Sequence, residues 1–205
     1  KVFYDYKKEG IWQLGEEAAA AANGQEPGDI KVQDVDGNGV ITTDDRIIYS
    51  QRPDVTFGFN NTFNYKGFDL SVFLYARLGQ WIAYDYNTTY RINALENGGN
   101  VDYWTPENPT NAFPRPNKSK SYTQVTYYST LKYEDGSFFK IRDITLGYTF
   151  KPELLKHLNL SRLRVYATAK NFFTFSKIDN YDPEQGGSIS FPMTKQLVFG
   201  LNVEF

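Results

Sequence analysis

Five stretches of this chain, residues 55–65, 68–78, 138–150, 164–175 and 196–205, bring apolar side chains back at every second position. A period of two marks a β-strand with unlike faces, because successive side chains leave a strand on opposite sides. In the last stretch Leu197, Phe199, Leu201, Val203 and Phe205 share one parity, and Val198, Gly200, Asn202 and Glu204 share the other. At about 3.3 Å per residue and a tilt near 45°, such a strand covers roughly the 25 Å apolar band of an outer membrane. A half-buried strand of a soluble sandwich shows the same alternation. The fold class read from these stretches is all-β, and no single strand decides what meets its apolar face.

The connections carry more information than the strands. Between 55–65 and 68–78 stands only Lys66-Gly67, and between the third and fourth stretches lies a short turn that begins Lys151-Pro152, with Pro at a helix start. The other two connections, 79–136 and 176–195, are long and rich in turn formers, including residues 97–100, 105–109 and 113–116. If Phe205 ends at the periplasmic rim, every short connection falls on the periplasmic side and every long one outside, as outer-membrane barrels require. About five strands cannot close a barrel, and an open edge facing lipid is forbidden, so further strands are expected upstream or in another chain.

Composition agrees with strands. The chain has 205 residues, a formal net charge of −2, an aromatic fraction of 17%, no Cys, one His and one Met. Near-neutral charge gives no reason to expect nucleic acid. No apolar run approaches the roughly 18 residues of a membrane helix, so a membrane role would have to come through strands. The opening Lys1-Val-Phe-Tyr-Asp-Tyr carries neither an initiator Met nor a signal segment, which reads as a piece of something longer.

The first 54 residues read as an extracellular loop region ahead of strands and loops that occupy 55–205. Within it, residues 34–45 follow the spacing of a calcium loop. Asp34, Asp36 and Asn38 stand at positions 1, 3 and 5, Gly39 at the sharp turn, the Val40 carbonyl at position 7 and Asp45 at position 12. A hard cation that takes only oxygen ligands requires these residue types at these places. Asp45 departs from the usual Glu, and the flanking segments, with only a short 44–50 turn after the loop, are not those of an EF-hand. The alternative is an Asp/Gly-rich turn capped by its own side chains.

The 79–136 loop holds Trp81, Tyr84, Tyr86, Tyr90, Tyr103 and Trp104, flat rings of the kind that stack on sugars or peptides. The same rings could instead pack the loop onto its neighbours. Catalysis finds no constellation. Asp182, Glu184, Glu134 and Asp135 read as solvated loop carboxylates, and His157 sits alone in a basic turn.

Several blocks in order along the chain carry a family resemblance: residues 27–46 around Asp34-Val-Asp-Gly-Asn-Gly, Tyr65-Lys-Gly-Phe-Asp-Leu-Ser, Trp104-Thr-Pro-Glu-Asn-Pro, residues 135–149 beginning Asp-Gly-Ser-Phe-Phe-Lys-Ile-Arg-Asp, residues 164–174, and Tyr181-Asp-Pro-Glu. Together they resemble the C-terminal end of SusC/RagA-type TonB-dependent outer-membrane transporters. The resemblance implies the last strands of a 22-stranded barrel with long extracellular loops, whose plug and upstream strands lie elsewhere. It also implies a SusD-like surface lipoprotein as partner, energy from TonB, surrounding outer-membrane lipid of a Gram-negative bacterium, and oligosaccharide or peptide cargo. The reading from another class is a soluble calcium-dependent carbohydrate-binding β-sandwich. The two part on whether Leu197, Phe199 and Leu201 meet lipid or a second sheet.

Overall fold

The computed structural model describes residues 2–93 and 98–205. Lys1, and Asn97 of the expected 97–100 turn, lie outside the described residues. In chain order the strands are β1 (Val2–Tyr6), β2 (Lys8–Ile11), β3 (Ile30–Val32), β4 (Arg46–Ser50), β5 (Val55–Tyr65), β6 (Phe68–Leu78), β7 (Trp81–Ala83), β8 (Tyr133–Asp135), β9 (Phe138–Thr149), β10 (Arg162–Ser176) and β11 (Gln196–Glu204). Two short helices, α1 (Glu17–Ala22) and α2 (Pro152–Leu155), accompany them. The chain divides into two compact units. One comprises Lys1–Arg52, Trp81–Glu134 and Gly186–Ile189, and the other Pro53–Gln80, Asp135–Gln185 and Ser190–Phe205.

The second unit is a sheet in the order β11-β10-β9-β6-β5, antiparallel throughout. Its five strands are those expected from the period-two stretches, with ends shifted by up to two residues. The β5–β6 hairpin closes on Lys66 and Gly67, both at positive φ (46° and 88°), the backbone that a two-residue turn between twisted strands demands. The register joins like faces. Phe59 lies opposite Leu74, Leu70 opposite Leu146, Ala167 opposite both Leu146 and Phe199, and Val165 opposite Leu201. The other face aligns Asp69, Gly147, Tyr166 and Gly200 across four strands.

The apolar face stays uncovered. Leu197, Phe199 and Leu201 are 61%, 77% and 69% exposed, and among the described residues no second sheet lies over them. A sandwich strand would bury these side chains, so the soluble alternative lacks the layer it needs. An apolar face this large is stable only against lipid or a partner. Strands of eleven residues, such as β5 and β6, span about 25 Å when tilted, the thickness of the apolar band. Among the described residues, only one side of β5 and one side of β11 pair with a neighbour, so both sheet edges carry open backbone groups.

The first unit gathers what the sequence presents as irregular segments around a core of Ile11, Ile30, Val32, Trp104 and Leu131. β1 pairs with β4, so residues 46–50, expected as part of a short turn, form a strand instead. Its pairing partner lies about forty residues earlier, beyond the reach of a local reading. A further aromatic cluster in this unit joins Tyr49 to Trp81 and Tyr133, at centroid separations of 4.9 and 4.5 Å.

Candidate functional site

The polar face of the sheet carries two groups of charges. Towards the β5–β6 turn, Arg164 of β10 donates to Asp69 of β6 through Nε (2.9 Å) and Nη2 (2.6 Å). These strands are not neighbours, because β9 runs between them. The pair forms because the intervening residue is Gly147, where an added Cβ would fall 2.5 Å from both Arg164 Nη2 and Asp69 Oδ1. The Arg164 guanidinium also lies over the Tyr166 ring at 4.9 Å. That ring in turn occupies the space above Gly200, where a Cβ would come within 2.3 Å of it. Glycines in the sheet thus seat a continuous polar layer.

At the other end of the sheet, Lys140 of β9 is wholly buried and donates to Asp182 Oδ2 (2.6 Å) and Glu184 Oε2 (2.8 Å) from the β10–β11 loop. Thr174 donates to the same Asp182 oxygen (3.3 Å), and Arg142 pairs with Glu184 Oε1 at 3.0 Å. Asp182 and Glu184, expected as solvated carboxylates, are instead ligands of a buried ammonium. The reason is long-range: the two sequence segments lie over forty residues apart, and a local reading sees only acids in a loop. Two carboxylates, an ammonium and a guanidinium leave no uncompensated charge, which is what makes burial tolerable. His157 stays exposed in the α2 turn, as expected.

The 34–45 loop brings three of its expected ligands together. Carboxylate oxygens of Asp34, Asp36 and Asp45 lie within 4.8 Å of one another. Each is also engaged by backbone amides. Asp34 accepts from Gly37 and Gly39, Asp36 from Asn38, and the Asn38 side-chain oxygen from Val40. Asp45 is buried and accepts from the amides of Val35 (2.8 Å) and Thr42 (2.7 Å), one on each oxygen. Bonds from the Thr42 and Val35 amides hold its carboxyl below the ordinary aspartate range. Each oxygen of Asp45 thus accepts an amide of its own loop and keeps a further lone pair.

The six candidate ligand rings separate into two groups. Tyr84, Tyr90 and Trp104 are each 5% exposed and belong to the interior of the loop unit, the packing alternative for these rings. Trp104 Nε1 donates to Gln13 Oε1 (2.8 Å), and the Tyr90 hydroxyl donates to the Pro114 carbonyl (2.9 Å). Rings of this size are the cheapest way to fill the core of a unit with little regular structure. Trp81 and Tyr86 are half-buried, and Tyr103, 43% exposed, offers an open face.

No protein-family model matches the chain. It is 31% identical over 229 residues to TonB-dependent receptor P3 of Formosa agariphila, an alignment covering 99% of this chain and 22% of that protein. It is likewise 31% identical over 181 residues to TonB-dependent receptor SusC of Bacteroides thetaiotaomicron, covering 84% of this chain and 17% of SusC. Among solved structures it resembles a chain of the RagAB peptide transporter with a TM-score of 0.72 and 24% identity, over all of this chain and 23% of that one. This last likeness bears on the fold. The chain spans about a fifth of the length of the curated relatives it matches.

Proposed function

The chain belongs to the TonB-dependent receptors of the SusC/RagA type, proteins of the Gram-negative outer membrane, and from that membership we propose that the intact protein imports oligosaccharides or peptides, drawing on TonB and working with a SusD-like surface lipoprotein. These relatives are receptors and transporters, not enzymes. The observation that supports the reading best is the sheet itself. One face is apolar and open, the opposite face carries paired charges, and among the described residues neither edge has a partner. A wall with those properties suits lipid on one side and a water-filled or plugged lumen on the other. The intact protein should fractionate with the outer membrane, co-purify with a surface lipoprotein, and take up labelled cargo only in cells with working TonB. Uptake undiminished without TonB, or a water-soluble intact protein, would defeat the proposal.

Of the candidate rings, Tyr103 has the surface to contact cargo. The cargo class is decided by growth of a deletion strain on glycans against peptides as sole nutrient.

The 34–45 loop supports a second, structural role, the binding of calcium through Asp34, Asp36, Asn38, the Val40 carbonyl and one oxygen of Asp45. Convergence of three carboxylates favours a divalent cation, and weak millimolar-range affinity suffices outside the cell. Terbium luminescence sensitised by nearby tyrosines, competed by calcium and lost in Asp34→Ala, tests it. Luminescence unchanged in that variant would leave only a self-capped turn.

A further inference from the structure

We propose that the Asn38-Gly39 bond is a self-modification site, at which the folded loop itself promotes conversion of Asn38 to aspartate and isoaspartate. An asparagine side chain is lost this way when the amide nitrogen of the next residue attacks its carbonyl carbon. The attack is helped by a group that draws off the amide proton, a donor on the oxygen that takes up negative charge, and a held geometry. The loop supplies each. The Gly39 amide donates to Asp34 Oδ2 (2.7 Å), which sets a carboxylate on the proton that must leave. The Val40 amide donates to Asn38 Oδ1 (2.8 Å), the atom that becomes the oxyanion. Asn38 Nδ2 donates to Asp36 Oδ2 (2.7 Å), which fixes the plane of the side-chain amide. A side-chain oxygen bonded to the amide two residues on lays its carbon beside the amide between them. Asn38 is exposed, and nothing lies within 4 Å of a Cβ built on Gly39, so water has access.

The step balances with water alone. The Gly39 nitrogen gives up its proton and bonds to Asn38 Cγ, and the bond from Cγ to Nδ2 breaks. The proton passes through solvent to the departing nitrogen, which leaves as ammonia. Water then opens the cyclic imide at either of its carbonyls. One opening restores the chain with aspartate at position 38, and the other routes the chain through the side chain as isoaspartate. The first product adds a further carboxylate to the group formed by Asp34, Asp36 and Asp45. The second lengthens the backbone of the loop. A newly made receptor and an aged one therefore differ in the charge of this loop.

The same dipeptide at Asn23-Gly24 lacks this arrangement. Gly39 and Gly24 both have positive φ (84° and 67°), and neither has an atom within 4 Å of an added Cβ, so steric access does not separate them. Their hydrogen bonds do. The Gly24 amide donates to the Ala21 carbonyl (3.0 Å), which is no base. Asn23 Oδ1 accepts from the Ile41 amide (3.1 Å), eighteen residues on, which draws the side chain away from its own glycine.

Ageing the full-length receptor in detergent at neutral pH with a chelator, then mapping its peptides by mass and retention, tests the proposal. Asn38 should convert about tenfold or more faster in the folded receptor than in the same chain unfolded in urea, a modest share of what a positioned base contributes. Asn23 should convert more slowly folded than unfolded. Asp34→Asn should remove the acceleration at Asn38. The proposal is overturned if Asn38 converts no faster folded than unfolded, or if Asp34→Asn leaves its folded rate unchanged. Neither result bears on TonB-dependent uptake or on calcium binding, since the chelator keeps the loop free of cation.

Discussion

Asp69 and Arg164 meet above a strand to which neither belongs. Gly147 of β9 lies beneath their two hydrogen bonds of 2.9 and 2.6 Å, and its missing side chain is the space they use. Gly147→Ala should therefore act through the ion pair, since the atoms it displaces are the mobile ends of two side chains. The expected loss is about 1 kcal/mol for a partly exposed bidentate pair. In an Arg164→Met background the same Gly147→Ala change should cost almost nothing. Equal losses in both backgrounds would show that the glycine serves the backbone instead.

Lys140→Met should release the β10–β11 loop. It removes the ammonium shared by Asp182 and Glu184 and leaves the largely buried Asp182 with only the Thr174 hydroxyl and the Glu184 amide as donors. Stranding a buried carboxylate costs about 3 kcal/mol. Limited proteolysis should then cut within 177–195 where the parent protein resists, and adding Asp182→Asn should restore part of the resistance.

The two faces of the sheet predict opposite responses to charge. Phe199→Arg, in the middle of β11 on the open apolar face, should cost about 2–4 kcal/mol in a bilayer and prevent a heat-modifiable barrel from assembling. Thr62→Lys, on the polar face of β5, should assemble normally. Equal tolerance of both would place the apolar face somewhere other than in lipid.

Trp104 and Tyr103 are neighbours with different duties. Trp104→Ala empties a core position and loses the bond to Gln13, a change worth about 3–5 kcal/mol that should appear as lost protection of the loop unit. Tyr103→Ala should leave stability within about 0.5 kcal/mol and alter only cargo affinity.

The carboxyl of Asp45 predicts how the acidic loop responds to pH. Its folded value lies below the ordinary aspartate value, about 3.9, because the amides of Thr42 and Val35 favour the charged form. A depressed folded value means the contribution is present above the ordinary value and is lost as pH falls through the lower one. Exchange of the Val35 and Thr42 amides should stay slow down to the ordinary range and quicken below it. Asp45→Asn should show quick exchange of the same amides at neutral pH.

The positions of the five long strands, the identity of their two faces and the order of short and long connections were legible in the sequence. All depend on a period of two and on local turn chemistry, as at Lys66-Gly67, where the residues themselves set the backbone. The acid spacing of 34–45 was legible for the same reason, since Asp34 to Asp45 is one short loop. Only the tertiary structure decided which side chains the strands bring together. The Asp69–Arg164 bridge, the burial of Lys140 under Asp182 and Glu184, the pairing of β1 with β4 and the sinking of Tyr84, Tyr90 and Trp104 into a core all join residues far apart in the chain. Burial and long-range pairing depend on what the rest of the chain places nearby, and no local pattern of residue types carries that information.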